Sequence, residues 1–315
     1  GLIAEPGLIA DIAHIGVIFL LFLLGLNLHP QQLLRLLSET MLVTLGTSLV
    51  FAGVGFGFAY TVGFGLLDAA LIGAACMFSS TIIGLKLLPT TTLHQQHTGE
   101  VMISILLLQD ILAILILLAL QAYGGEGALL PKLGMVALLL PLGMGLALLG
   151  ARYILVPLFK RFDTIQEYVF LLAIGWCLGF SELSVALGLS SEIGAFLAGV
   201  ALASSPISTF ISESLKPLRD FFLIMFFFSL GAGFNPAMLT DVILPASALA
   251  VIMIGLKPWL MRLLLQRAGE AEGFSREVGV RLGQISEVSL FIAILAAQNA
   301  VISERASGTI QLAGM

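Results

Sequence analysis

One carboxyl group lies in the middle of a long aliphatic run. Asp110 follows Gln109 in the segment Ser104-Ile-Leu-Leu-Leu-Gln109-Asp110-Ile-Leu-Ala-Ile-Leu-Ile-Leu-Leu. An aspartate at the centre of a hydrophobic helix costs about 2.5–3.5 kcal/mol on insertion scales, so it should face a water-filled cavity or a polar partner. Such a carboxyl group can exchange a proton for a metal cation. The alternative is an aspartate that only caps a broken helix nearby.

A cluster of hydroxyl groups forms a second candidate site. The segment Phe78-Ser79-Ser80-Thr81 lies inside another apolar run. If a helix unwinds there, its carbonyl and hydroxyl oxygens become available as ligands for a hard cation. Ser and Thr in membrane helices also bond back to carbonyls of their own helix, which is the structural alternative.

A single lysine is followed by a helix breaker in Gly255-Leu-Lys257-Pro258-Trp259. If its ammonium group reached Asp110, it would neutralise the carboxylate until a cation displaced it. We therefore expect a charge-compensating role for Lys257. The alternative is snorkelling toward the interface, because Arg262 follows only five residues later.

The last full apolar run contains three further polar residues, Gln284, Ser286 and Glu287. A glutamate at a break in a helix can line an ion path or bond to the exposed amides of an opposing half-helix. We expect these three residues, together with Ser79, to line the path or support the break. A structural and electrostatic role is favoured for Glu287.

Four other polar residues carry weaker signals. Glu182 and Glu192 flank a turn predicted at about residues 186–191, where hydration would satisfy both side chains. His94 and His97 have no neighbouring cluster of cysteines or carboxylates, so a solvated loop is expected there rather than a metal site.

The composition excludes a soluble protein. Of the 315 residues, 59% are hydrophobic and 10% are charged, and the mean hydropathy is +1.08, whereas soluble domains have about 25% charged residues. The net charge of −5 without a basic tract argues against a nucleic-acid partner. Cys76 and Cys177 lie in apolar runs without CxxC spacing, which argues against a disulfide framework or a zinc site.

The apolar runs predict ten membrane spans, because about 20 mostly apolar residues cross the hydrocarbon core. An eleventh run begins near the end of the sequence. The predicted spans cover approximately residues 8–28, 41–62, 69–88, 101–121, 133–157, 167–186, 188–204, 219–235, 242–264 and 278–298. Because residues 167–204 form a single double-length run, we divide it at Gly188-Leu189-Ser190-Ser191.

The loop charges support that division. Eleven of the fourteen Lys and Arg residues fall on one side of the membrane and two, Lys132 and Arg305, on the other, with Lys257 inside a span. The positive-inside rule makes the first side cytoplasmic and places residue 1 outside. Since Gly1-Leu2-Ile3 has no initiator methionine and an apolar segment begins just before Met315, we expect a segment of a longer protein.

An internal repeat is visible at an offset of 206 residues. Phe22-Leu-Leu-Gly25-Leu-Asn27-Leu-His29-Pro30 aligns without gaps with Phe228-Ser-Leu-Gly231-Ala-Gly233-Phe-Asn235-Pro236. The same offset places Phe78-Ser79-Ser80-Thr81 over Gln284-Ile285-Ser286-Glu287. The first and eighth spans are seven apart, so the two copies cross in opposite directions. Inverted repeats with broken helices are characteristic of secondary transporters.

These segments resemble the Kef-type potassium/proton antiporters of the bacterial monovalent cation:proton antiporter-2 family. The matching motifs run through nearly the whole chain in family order. They are Leu24-Gly25-Leu26-Asn27-Leu28, Ser79-Ser80-Thr81, Leu108-Gln109-Asp110-Ile111, Gly194-Ala195-Phe196-Leu197-Ala198-Gly199-Val200 with Ala203-Ser204-Ser205, Phe226-Phe227-Phe228 before Gly231, and Leu282-Gly283-Gln284 with Ser286-Glu287.

The resemblance implies an all-α membrane protein with the sodium/proton antiporter-like fold. In that fold, ten of thirteen helices would be present, including two broken crossing helices at spans three and ten. It implies one transport domain over residues 1–315 in three parts. A scaffold and dimer part covers about 8–28 and 167–235, a linker span covers 133–157, and a core covers about 41–121 and 242–315.

The resemblance also implies the site and the partners. Asp110, Gln109, Thr81 and Ser80 would bind the cation and the proton, with K⁺ or Na⁺ held transiently at Asp110 and Lys257 as the core lysine. No cofactor is implied beyond the transported ions. Implied partners are a second copy of the chain, membrane lipid and a cytosolic nucleotide-binding regulatory domain outside this segment, in a bacterial inner membrane.

The function expected from these features is exchange of a monovalent cation for protons by alternating access. Gln109 before Asp110 resembles the potassium-handling branch, so K⁺ is favoured and Na⁺ remains the second candidate. The alternatives are a channel-like conduit for cations or transport of another solute on the same fold. An intramembrane aspartyl protease is disfavoured, since it needs two converging carboxylates and the other acids lie on different spans.

Overall fold

The structure is a computed structural model of the 315-residue chain. It describes residues 6–27, 30–80, 94–123, 129–162, 166–205, 207–233 and 238–314. The regular secondary structure in these residues is helical, and they include no β-strand. Thr81 lies outside the described residues, and so do the side chains of His94 and His97.

Thirteen helices are present in the described part of the chain. A π-helical turn at Ala151–Leu155 connects α5 to α6. The helices are α1 Pro6–Asn27, α2 Pro30–Thr61, α3 Leu66–Cys76, α4 His94–Tyr123, α5 Leu129–Gly150, α6 Val156–Phe162, α7 Gln166–Ala186, α8 Ser191–Ala203, α9 Ser208–Gly233, α10 Leu239–Arg267, α11 Glu272–Arg281, α12 Glu287–Gln298 and α13 Glu304–Gly314.

Five segments are long and apolar enough to cross a membrane, by length and composition and counted over the described residues. They are Thr40–Thr61, Val101–Leu120, Leu138–Phe159, Glu167–Ala186 and Leu239–Arg267. Four shorter apolar helical segments cover His14–Leu26, Leu66–Cys76, Ser191–Ala203 and Glu287–Gln298. The chain is therefore an integral membrane protein by its helices, while the count of ten spans remains a prediction.

The predicted turn between α7 and α8 is confirmed. Gly188 has a φ of +88°, which a residue without a Cβ atom adopts at little cost. Ser190 then caps α8, because its hydroxyl oxygen accepts a hydrogen bond from Ile193 N at 3.3 Å. The turn divides the double-length apolar run into two helices of 21 and 13 residues.

The chain divides into two compact units. The first contains residues 1–31 and 127–234. In it, α1 packs against α8 and α9, while α8 also contacts α5 and α7. The contact between α1 and α8 is a backbone contact, since a Cβ atom at Gly25 or Gly199 would overlap a carbonyl oxygen of the other helix.

The second unit contains residues 32–126 and 235–315. Its α10 packs against α11 and α13, and α12 contacts α3, α4 and α13. The N-terminus of α13 is capped from α3, because Ser303 N and Oγ donate hydrogen bonds to the Asp68 carboxylate at 2.8 and 2.7 Å. This unit contains every described residue of the predicted cation and proton site.

Candidate functional site

Two helices of the second unit end inside apolar sequence. Helix α3 ends at Cys76, and residues 78–80 are not helical. Helix α11 ends at Arg281, and residues 282–286 are not helical before α12 begins at Glu287. The last carbonyl groups of a helix have no partner within that helix, so each break presents carbonyl oxygens to its surroundings.

Lys257 occupies the space between the two breaks. Its side chain is completely buried, and its Nζ donates hydrogen bonds to Phe78 O at 2.6 Å and to Gln284 O at 2.9 Å. The same ammonium group lies 5.4 Å from the centre of the Phe51 ring. Lys257 therefore does not snorkel to the membrane interface. Its ammonium group instead binds carbonyl oxygens that follow the ends of α3 and α11.

Asp110 is buried on α4 with 6% of its surface exposed. Helix α12, which begins at Glu287, contacts α4. Asp110 and Lys257 are both described, and they do not form an ion pair within 4.0 Å. Charge compensation of Asp110 by Lys257 remains a prediction, and the direct partners of the ammonium in this structure are carbonyl groups.

Gln109 connects the helix of Asp110 to both breaks. Its side-chain Oε1 accepts a hydrogen bond from Ser79 N at 2.9 Å, and Ser79 Oγ donates to Leu282 O at 2.8 Å. Gln109 is 1% exposed and Ser79 3% exposed, so these bonds are shielded from water. The residue before Asp110 thus fixes the unwound segment after α3, which in turn bonds to the segment after α11.

The remaining predicted residues lie around the second break. Ser286 caps α12 by accepting from Val288 N at 3.1 Å, and Glu287 places its carboxylate in the first turn, where the helix dipole favours negative charge. Ser80 is buried in the unwound segment after α3. Ser289, which the sequence analysis did not select, donates from Oγ to Ala75 O at 2.7 Å.

Several contacts recur at the 206-residue offset of the internal repeat. Phe78 and Gln284, whose carbonyl oxygens bind Lys257, are separated by that offset, and so are Phe51 and Lys257. A Cβ atom on Gly73 would lie 2.5 Å from Ala52 O, and one on Gly279 would lie 2.6 Å from Pro258 O, which is the equivalent pair.

Phe51 was missed because an aromatic residue in an apolar helix carries no polar signal. The repeat could have identified it, since subtracting 206 from Lys257 gives position 51. Cys76, whose sequence context argues against a disulfide or a zinc site, has a free and buried thiol. Cys76 is the last residue of α3, so its thiol lies next to the unwound segment after that helix.

The other polar residues of interest lie in the first unit. Glu192 is 5% exposed and bonds through Oε1 to His14 Nε2 at 3.1 Å, so it is not simply hydrated as the sequence allowed. Glu182 is exposed. Among the described residues, no group of three or more His, Cys, Asp and Glu side chains is arranged to hold a metal ion.

Comparison with known proteins identifies the family. The model of the transmembrane sodium/hydrogen exchanger family matches residues 1–313. The chain belongs to the sodium/hydrogen exchanger family. The match covers both compact units of this exchanger-family chain, and it confirms that the domain is a transporter and not an enzyme.

Curated relatives point to the same group within the family. The exchanger-family chain is 30% identical to a putative K(+) efflux antiporter KefB of Alkalimonas amylolytica, with 98% of the chain and 47% of the relative aligned. It is also 30% identical to a glutathione-regulated potassium-efflux system protein KefC of Klebsiella pneumoniae, over 92% of the chain and 48% of the relative. The Kef resemblance is therefore confirmed, and the chain spans about half the length of these relatives.

Proposed function

We propose that this domain exchanges a monovalent cation for protons by alternating access, with Asp110 as the shared binding site. The observation that carries this proposal is a buried carboxyl group beside two unwound segments whose carbonyl oxygens hold an ammonium group. Oxygen ligands suit hard alkali cations, and a carboxylate can instead take a proton. K⁺ is favoured over Na⁺ because the relatives are described as potassium-efflux proteins.

The mechanism follows from competition at one carboxylate. Asp110 binds either a proton or a cation from one side of the membrane, the core shifts, and the other ion returns. With one titrating carboxylate the simplest stoichiometry is one proton for each cation. Participation of Lys257 would allow two protons and make the cycle sensitive to voltage. Gln109 and Ser79 would hold Asp110 and the unwound segment in register during the shift.

In the architecture proposed for this cycle, the two units have different roles. Residues 32–126 and 235–315 would form the moving core, and the other unit would supply the scaffold, the linker helix α5 and the surface for a homodimer. The contacts that recur at the 206-residue offset support an inverted-topology repeat in which the broken segments are equivalent. By the same analogy, the spans present would be ten of thirteen.

The proposed setting is a bacterial inner membrane with residue 1 outside. The relatives come from bacteria and are about twice as long as this chain, which supports a further regulatory domain in the full-length protein. A nucleotide-binding domain on the cytosolic side is the proposed candidate.

The test is proton flux in proteoliposomes that contain the full-length protein. An outward or inward K⁺ gradient should move protons and change the fluorescence of a trapped pH dye. Asp110→Asn should abolish this change because an asparagine side chain does not bind and release a proton in this pH range. A variant that exchanges as well as the wild type would remove Asp110 from the mechanism. Potassium flux without proton movement would instead favour a channel-like conduit, and repeating the assay with Na⁺ determines ion preference.

A further inference from the structure

A cavity of about 550 Å³ lies within the second unit beside the break between α11 and α12. Its lining includes Met253, Pro258, Val280, Gln284, Ile285 and Gly314. Gln284 is the single polar side chain among its lining residues. In an apolar pocket, a single polar group is the one that a bound ligand would contact through a hydrogen bond or a charge.

The two oxygens of Gln284 are used differently. The main-chain oxygen accepts a hydrogen bond from Lys257 Nζ at 2.9 Å. The side-chain oxygen, Oε1, is buried and accepts no hydrogen bond from the described residues. Buried acceptors nearly always have a donor or a cation, so an amide oxygen without one calls for a partner. Alkali cations readily take amide oxygens as ligands.

Gln284 also lies in the unwound segment that leads to Glu287 and α12. Glu287, three residues further along, begins α12, which contacts α4, the helix that carries Asp110. The cavity therefore borders the unwound segment that precedes Glu287. Gln109 Nε2, the other buried amide atom near the breaks without a partner, is a donor and cannot be a ligand for a cation.

We propose that Oε1 of Gln284 is a ligand for the transported monovalent cation at the break between α11 and α12. This inference rests on the proposed cation/proton exchange and adds a specific residue to the cation path. It assigns Gln284 to cation binding and not to proton binding, because a primary amide does not titrate. The proposal separates the two substrates, since only the cation depends on Gln284.

The test compares four variants of the full-length protein in proteoliposomes at fixed pH while the K⁺ concentration is varied. Gln284→Met keeps the length of the side chain and removes the oxygen, and Gln284→Leu is a second such variant in case the first does not fold. Each should raise the KM for K⁺ roughly tenfold, the loss expected for one buried polar contact. The kcat should stay unchanged. In a second series with varied pH, the proton concentration for half-maximal activity should also stay unchanged when K⁺ is held at the same multiple of each variant's KM.

Two variants serve as controls. Gln284→Glu restores an oxygen ligand and should return the KM for K⁺ to the wild-type range or below it. Gln298→Leu makes the same substitution at the exposed end of α12 and should leave all parameters unchanged. A wild-type KM in Gln284→Met and Gln284→Leu, or a loss confined to kcat, would overturn the proposal.

A binding measurement separates this proposal from the exchange function. K⁺ at constant ionic strength should raise the melting temperature of the purified wild-type protein and of Gln298→Leu, and at the same concentration it should raise that of Gln284→Met by less. If K⁺ stabilises proteins with an oxygen at position 284 more than Gln284→Met but no proton movement is seen, the ligand role stands and the exchange function fails. Equal stabilisation of Gln284→Met refutes the ligand role.

Discussion

At the scale of residues, the decisive feature is an ammonium group that binds backbone oxygens. Lys257 is 0% exposed, and its two hydrogen-bond acceptors, Phe78 O and Gln284 O, follow the C-terminal ends of α3 and α11. A helix C-terminus carries a partial negative charge, so a cation there stabilises both ends at once. Lys257 thereby makes it possible for two helices to end inside an apolar unit.

Removing this ammonium group should destabilise the fold. Lys257→Met leaves two buried carbonyl oxygens without their charged donor and should lower the apparent free energy of unfolding by about 3 kcal/mol. The measurement is an SDS titration of the purified protein in mixed micelles. Lys257→Arg should retain part of the stability because it keeps the charge and several donors.

Arg262→Met is the matched control for that experiment. Arg262 also lies on α10 and pairs with Glu272, but both side chains are substantially exposed. Its removal should cost less than about 1 kcal/mol, as for other exposed ion pairs. Equal stability of Lys257→Met and the wild type would show that the ammonium contributes no net stabilisation between the breaks.

At the scale of elements, the first unit depends on a backbone contact between α1 and α8. A Cβ atom on Gly199 would overlap Phe22 O, and one on Gly25 would overlap Phe196 O. Neither neighbour is the flexible end of a side chain, so relief requires the helices to separate. Helix α8 is also bound by Trp176 of α7, whose Nε1 donates a hydrogen bond to Ala198 O at 3.1 Å.

Gly199→Ala should therefore force α1 and α8 apart. We expect a loss of about 2–3 kcal/mol in the apparent free energy of unfolding, the upper part of the range for overpacked sites. The same SDS titration measures it. In the control Gly179→Ala on α7, a Cβ atom meets nothing within 4 Å, and stability should be unchanged or slightly higher because alanine favours helices.

A Gly199→Ala protein as stable as Gly179→Ala would contradict the close approach of α1 and α8. The contact matters for the proposed mechanism because a scaffold must keep its shape while the core moves. A lower kcat for exchange in Gly199→Ala, with the KM for the cation unchanged, would place the defect in the scaffold and not in the ion site.

At the scale of the whole molecule, the distribution of charges predicts the orientation in the membrane. With residue 1 outside, the loop after α10 should be cytoplasmic and the loop after α12 should be external. Ala268 and Asn299 are exposed positions in these two loops. Cys76 and Cys177 are both buried, so replacing them by serine gives a background for thiol labelling.

A membrane-impermeant maleimide added to intact cells should label Asn299→Cys and leave Ala268→Cys unlabelled. Permeabilising the cells should then allow Ala268→Cys to react, which controls for its accessibility and expression. Labelling in the reverse pattern would invert the orientation. Labelling of both positions in intact cells would mean that α11 and α12 do not together cross the membrane, contrary to the predicted tenth span.

Much of the fold was predictable because insertion in a membrane depends on local sequence. Runs of apolar residues predicted the five long apolar segments found in the described residues, and Gly188 with Ser190 predicted the turn before α8. The isolated positions of Asp110 and Lys257 were also informative, since charge within an apolar run is costly wherever the run folds. The Kef-type motifs then predicted the family that the comparisons show.

The partners of those residues were decided by tertiary structure alone. The sequence suggested that Lys257 reaches Asp110, whereas its ammonium binds Phe78 O and Gln284 O. Backbone oxygens are present at every position, so sequence cannot single out which of them a distant side chain will bind. The choice depends on where two helices unwind and how closely glycines let their neighbours approach, and both are properties of packing in three dimensions.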